Sequence, residues 1–149
     1  MFGMSIRSVM ERKKLLTASP AETVARAAKR MAKRNVGAVM VVEEGRLAGI
    51  FTERDVVYRV VAAGRDPATT RLAEVMTPQP KTVGPDDTFG YALVLMHENG
   101  FRHTPVVEDG RPVGIVSARN ALDPDLEEFE HEARRREHLR RSGAARAVR

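Results

Sequence analysis

The chain repeats itself. Gly49-Ile50-Phe51-Thr52-Glu53-Arg54-Asp55 returns 65 residues later, altered at four of its seven positions, as Gly114-Ile115-Val116-Ser117-Ala118-Arg119-Asn120. At that offset positions 17–55 align with 82–120 without a gap, and 13 of the 39 pairs are identical. The identities include Pro20 and Thr23 with Pro85 and Thr88, Val41-Val42-Glu43 with Val106-Val107-Glu108, and Gly45-Arg46 with Gly110-Arg111. Val9-Met10 and Val75-Met76 extend the likeness upstream at an offset of 66. A repeat of this length is a supersecondary unit that cannot close a core alone and packs on its partner. The expected organisation is a first repeat over residues 1–65, a second over 66–122 and a charged C-terminal segment over 123–149.

Each repeat reads as strand, helix, strand, strand, helix. A helical turn at Ile6 to Met10 precedes a short extended run, Leu15-Leu16-Thr17. Ser19-Pro20-Ala21-Glu22 carries the signals of a helix start: a capping hydroxyl, a proline suited to the first helical position and an acid three residues after the cap. That helix is expected to run to Arg34 with Val24, Ala27, Ala28 and Met31 buried, and to stop at Asn35 and Gly37. Ala38-Val39-Met40-Val41-Val42 and Leu47-Ala48-Gly49-Ile50-Phe51 form a hairpin about Glu44-Gly45, and Thr52 caps a helix from Glu53. The second repeat follows suit, with a helix from Phe89 to Asn99 and hairpin strands at Thr104 to Glu108 and Val113 to Val116. Proline keeps Met76-Thr77-Pro78-Gln79-Pro80 out of a helix and predicts an extended surface linker.

The net charge of +5 raises the question of nucleic acid. Lys and Arg outnumber Asp and Glu by 12 to 6 in residues 1–62, against 6 to 7 in 63–122 and 7 to 7 in 123–149. The excess therefore sits in the first repeat, much of it at helical spacing in Arg26, Lys29, Arg30, Lys33 and Arg34. No aromatic residue interleaves these cations as a single-strand platform requires, so a solvated helix face is favoured over nucleic-acid binding. The C-terminal segment puts six acids in 123–132 and seven Arg in 133–149, an order that suits the helix dipole and i to i+4 pairing. Its stripe of Leu126, Phe129 and Ala133 either packs locally or docks on a second subunit. The absence of Cys, of a signal peptide and of any apolar run near 20 residues predicts a cytoplasmic protein without a membrane span.

No catalytic constellation is present. His97, His103, His131 and His138 are scattered, and neither repeat holds a glycine-rich loop with Lys for a triphosphate. The residues point to binding rather than catalysis, with no metal required. Thr52 and Asp55, three apart at a helix start, project a hydroxyl and a carboxylate to one side. A carboxylate can accept from two donors at once, which adjacent ribose hydroxyls supply, and Arg54 between them is a forked cation suited to phosphate.

With its repeat, its Pro20 to Thr23 and Pro85 to Thr88 helix openings, Pro105-Val106-Val107 and Gly-Ile-Phe-Thr-x-x-Asp, the chain resembles the cystathionine-β-synthase (CBS) domain family. Two such domains pack as a Bateman module, and the resemblance covers residues 6–122. It implies an α+β fold of two β-α-β-β-α repeats, with three-stranded sheets facing each other about a pseudo-twofold axis and a C-terminal helix appended. It implies two clefts that take adenosine-containing ligands, frequent homodimers and a non-catalytic regulatory role in signal transduction.

Carried onto this chain, the resemblance assigns the ribose to Thr52 and Asp55 and phosphate to Arg54. Arg102-His103-Thr104 resembles the basic pair that reaches phosphate from the opposite repeat. Thr17-Ala18 and Gly37-Ala38-Val39 would sandwich the base. In the second cleft Ser117, Arg119 and Asn120 replace the ribose-binding set, and Gly37-Ala38 stands where the basic pair belongs. One strong and one weak site are expected, since an amide in place of an ionised acceptor loses about 1 kcal/mol or more. AMP is the leading ligand, with ATP, ADP, NAD and S-adenosylmethionine sharing its adenosine. The alternatives are a nucleic-acid-associated protein and a ligand-free interaction scaffold.

Overall fold

The computed structural model describes residues 2–11, 15–121, 132 and 134–138. The chain divides into two compact units, Met1–Ser117 and Ala118–Arg149. In the first, α1 (Ile6–Val9), β1 (Thr17–Ala18), α2 (Val24–Arg34), β2 (Ala38–Glu43), β3 (Arg46–Thr52) and α3 (Glu53–Asp55) follow in order. A segment of π-helix, Val56–Val61, continues α3 directly, and then come α4 (Leu72–Val75), β4 (Thr77–Pro78), α5 (Phe89–Asn99), β5 (His103–Glu108) and β6 (Arg111–Ser117).

The two hairpins are copies in register as well as in sequence. Ala38 pairs with Thr52 and His103 with Ser117, and each ladder slips once, between Val41 and Val42 and between Val106 and Val107. Glu44 and Gly45 turn the first hairpin at φ 51° and 77°, and Asp109 and Gly110 repeat those angles. Two consecutive residues at positive φ make the tight turn whose twist matches the strands it joins. Glycine is needed at the second of these positions because a side chain there is strained.

The first sheet has the order β1-β2-β3-β4, with β1 parallel to β2 and the others antiparallel. The second consists of β5 and β6, flanked by single bridged residues: Val83 runs parallel to Val106 and Glu11 antiparallel to Ile115. Each sheet thus gains an outer partner beyond the three strands expected. Within residues 76–80 only Thr77–Pro78 is extended, and it is hydrogen-bonded into the sheet rather than free on the surface; Gln79 turns away at φ 44° while its N donates to Ala48 O at 3.1 Å. Pro78 tolerates this place because an edge strand leaves one row of backbone groups unpaired.

The duplicated Val-Met segments cross over. At the start of the chain Ile6 N and Arg7 N donate to Asp87 O and Pro85 O, both at 2.8 Å, so α1 docks on the second repeat. Leu72 N and Ala73 N donate to Glu22 O and Pro20 O at 2.9 and 3.0 Å, so α4 docks on the first. This docking explains why α2 begins later than Ser19-Pro20 predicts. Ser19 Oγ accepts from Ala21 N at 3.2 Å in a local turn, Thr23 is bridged to Arg71, and Thr23 Oγ1 then caps the helix by accepting from Arg26 N at 3.3 Å. Thr88 caps α5 in the same way, through Tyr91 N at 3.3 Å. Asn35 ends α2 in the left-handed conformation, and Gly100 does the same for α5.

Strand alternation divides the buried residues into layers. Val39, Val41 and Phe51 join Val24, Ala27, Met31, Val60, Leu72 and Val75 in a core under the helices of the first repeat. The alternate residues Ala38, Met40 and Ile50 cluster instead with Ile115 of the second sheet. Thr104 occupies the position of Val39 in the second repeat, is fully buried, and its Oγ1 meets no hydrogen-bonding partner among the described residues. An unsatisfied buried hydroxyl costs about 1–3 kcal/mol, so Thr104→Val is expected to stabilise the protein by about 1 kcal/mol. A urea titration with unchanged m-value checks this, and a loss of stability would show that the hydroxyl has a role.

In the second unit, Ala118–Ala121 forms one turn of 3-10 helix containing Arg119 and the buried Asn120. Residues 132 and 134–138 are helical, and Arg136 pairs with Glu132 at 3.1 Å, the i to i+4 contact predicted from the charge order. The stripe of Leu126, Phe129 and Ala133 lies outside the described residues. No helix among the described residues is long and apolar enough to cross a membrane.

Candidate functional site

The end of β3 and the start of β2 lie side by side, because Ala38 pairs with Thr52. One residue further out, Glu53 N donates to Gly37 O at 3.0 Å, which brings Gly37, Ala38, Thr52 and the first turn of α3 together. Asp55 folds back over this turn. Its Oδ2 accepts from Thr52 N at 2.9 Å and from Thr52 Oγ1 at 3.2 Å, and its Oδ1 pairs with Arg59 Nε at 3.4 Å. The carboxylate is half-buried and held by three donors, yet an ionised carboxylate offers about four acceptor sites. Asp55 thus ties the first helical turn to its N-cap residue, Thr52, and is a fixed acceptor at the mouth of the helix.

The second repeat reaches this turn at two points. Arg54 Nη1 donates to Gly100 O at 3.1 Å, with the guanidinium carbon 5.1 Å from the ring centre of Tyr58. His103, the first residue of β5, lies against Gly37: its Nε2 is 3.2 Å from where a β-carbon on that glycine would stand. Glu53 Oε1 is also 3.2 Å from that point. The missing side chain of Gly37 therefore leaves the space in which an imidazole of one repeat and a carboxylate of the other converge. Sequence reasoning passed over Glu53, although it lies inside the repeated motif, because an acid in a first helical turn has an ordinary explanation in the helix dipole.

The other residues predicted for the site divide by strand face. Ala38 lies on the inner face with Met40, towards the second sheet. Ala18 and Val39 belong to the helix-side core, and Thr104 is the counterpart of Val39, so these three can offer a cleft only their backbone. Thr17 pairs with Met40 and its carbonyl accepts from Arg30 Nη2 at 2.7 Å. Arg102 is exposed immediately before His103. Ser117 stands opposite His103 in the ladder, while Arg119 and Asn120 belong to the second unit. No group of three His, Cys, Asp or Glu that could hold a metal occurs among the described residues.

A family model described as CBS domain matches residues 6–62 and 72–125. The chain is 40% identical over 101 residues to the CBS domain-containing protein YhcV of Bacillus subtilis, covering 68% of this chain and 71% of that one. It is 37% identical over 119 residues to the mitochondrial CBS domain-containing protein CBSX3 of Arabidopsis thaliana, covering 76% of this chain but only 58% of the relative's length. Among solved structures, the CBS domain pair of protein MJ0100 in complex with 5′-methylthioadenosine and S-adenosyl-L-methionine superposes with a TM-score of 0.72 at 26% identity. That similarity covers 79% of this chain and 96% of the other.

Proposed function

The chain belongs to the CBS domain family as a tandem pair, and on that premise we propose that it is a non-catalytic regulatory module whose ligand is an adenosine derivative. The observation that carries the proposal is the convergence of His103 from the second repeat with Gly37 and Glu53 from the first, beside the Thr52 and Asp55 turn. In this reading Asp55 and Thr52 hold the ribose, while Arg102 and His103, with Arg54, face the 5′ end. Thr17 and Ala38, with the backbone of Ala18, Val39 and Thr104, flank the base. The adenosine ligands of the MJ0100 pair support the ligand class, and AMP is the first candidate here.

A ligand in this cleft touches both repeats and so favours arrangements in which the two approach each other. It can shift that equilibrium only by its differential affinity for the arrangements concerned. The signal passes to a partner protein or through a homodimer in the cytoplasm. Val57, Val61, Tyr91 and Val94 are large apolar side chains left exposed on the helices, and they suit such an interface.

The basic face of α2 has a local explanation instead of a nucleic-acid one. Arg30 makes two bonds of 2.8 Å to the Glu22 carboxylate, and Lys33 and Arg34 lie in the last turn, where cations suit the helix dipole. Isothermal calorimetry with AMP tests the proposal: one strong site per chain is expected. Two equal sites, or no heat with any adenosine ligand, would contradict it.

A further inference from the structure

The Glu53 carboxylate and the His103 imidazole each approach the vacant β-carbon position of Gly37 to 3.2 Å, so Oε1 and Nε2 are at most twice that distance apart. Glu53 is exposed and forms no ion pair with any described residue. The cations on its own helix are engaged elsewhere: Arg54 on Gly100 O and over Tyr58, Arg59 on Asp55 and on Met76 O at 3.0 Å. The second repeat has Ala118 at the equivalent position, so this negative charge belongs to one repeat alone.

From this we infer that Glu53 is a specificity-determining residue that limits the negative charge accepted at the 5′ end of the ligand. The inference rests on the cleft reading above and adds a ranking to it: few phosphates are preferred to many, and a cationic 5′ substituent is tolerated. An anionic group that contacts His103 enters the space the Glu53 carboxylate faces, and an exposed pair of like charges at a separation of about 6 Å weakens binding roughly three- to tenfold. A cation there gains by a similar factor. Adenosine carries no charge at its 5′ end and is indifferent to Glu53.

The test compares the wild type with Glu53→Gln, which keeps the shape and removes the charge. Dissociation constants are measured by calorimetry for adenosine, AMP, ATP and S-adenosylmethionine. The expected result is adenosine unchanged within about twofold, AMP bound roughly three- to tenfold more tightly by the variant, ATP gaining at least as much, and S-adenosylmethionine losing affinity. An equal change for all four ligands, or no change for any, overturns the inference and leaves the cleft reading intact. If the wild type binds none of the four, the cleft reading falls and the inference with it.

Discussion

Leu72→Ala is expected to destabilise the protein by about 2–5 kcal/mol, the range for truncating a well-packed leucine. By sequence Leu72 falls in the second repeat, residues 66–122. In the structure it has no exposed area and packs with Val24, Val60 and Val75 under the first sheet. Its backbone N–H also fixes α4 to Glu22 O at 2.9 Å. Truncation leaves a cavity that α4 cannot close, because Ala73 N is bound to Pro20 O and Thr77–Pro78 is paired with β3. Urea unfolding measures the loss, with Val61→Ala, at a position 69% exposed, as a control changing stability by less than about 0.5 kcal/mol. Equal, small effects of both would show that Leu72 is not part of the core.

Gly49→Ala is expected to cost about 1–3 kcal/mol, and Gly114→Ala clearly less. The added methyl at Gly49 would lie 2.5 Å from Met76 Sδ and 2.9 Å from Thr77 O. The sulfur can move, but the carbonyl cannot without disturbing β4, since Thr77 is paired with Ile50. At Gly114 the three atoms nearest the methyl all belong to the side chain of Met10, Sδ at 2.8 Å, Cγ at 3.2 Å and Cβ at 3.4 Å, and a thioether with three rotatable bonds can yield. The two glycines are thus the seats of the two crossed Val-Met segments. The difference between the variants in thermal midpoint reads the rigidity of β4 against that of the single bridge at Glu11. Equal costs, or a larger cost at Gly114, would contradict this account.

Much of this architecture was legible because it is carried by local chemistry that the chain states twice. The hairpins followed from apolar runs of strand length on either side of Glu44-Gly45 and Asp109-Gly110, and the ladders repeat even in the position of their slips. What was not legible depended on pairing between distant segments. Ser19-Pro20 is a sound helix start locally, but residues 22–24 are taken up by Thr70, Arg71 and Leu72, so Thr23 caps instead. The proline-rich connection gave no hint that Thr77 would join a sheet. The duplicated Val-Met segments were visible, but nothing local says which hairpin each would cover.

The candidate site was legible to the same degree. Thr52, Asp55 and His103 stood out as polar changes within a repeat, and the structure brings His103 to the Thr52–Glu53 end of β3. In the bare stretches Gly37-Ala38-Val39 and His103-Thr104 nothing local marks which residue faces the cleft. Alternation turns Val39 and Thr104 into the helix-side core and leaves Ala38 on the inner face.

The central claim is that Asp55 holds an adenosine ligand in this cleft, and thermal unfolding with and without ligand tests it most directly. Asp55→Asn is the suitable variant, because an amide oxygen can still accept from Thr52 N and the residue then matches Asn120 of the second repeat. At a ligand concentration of about 100 times the wild-type Kd, the wild type should gain about 2.7 kcal/mol. A variant bound about tenfold more weakly gains only about half as much, and the midpoint shift shrinks accordingly. Equal shifts in both proteins, or no shift with AMP, ADP, ATP, NAD or S-adenosylmethionine, would contradict the account.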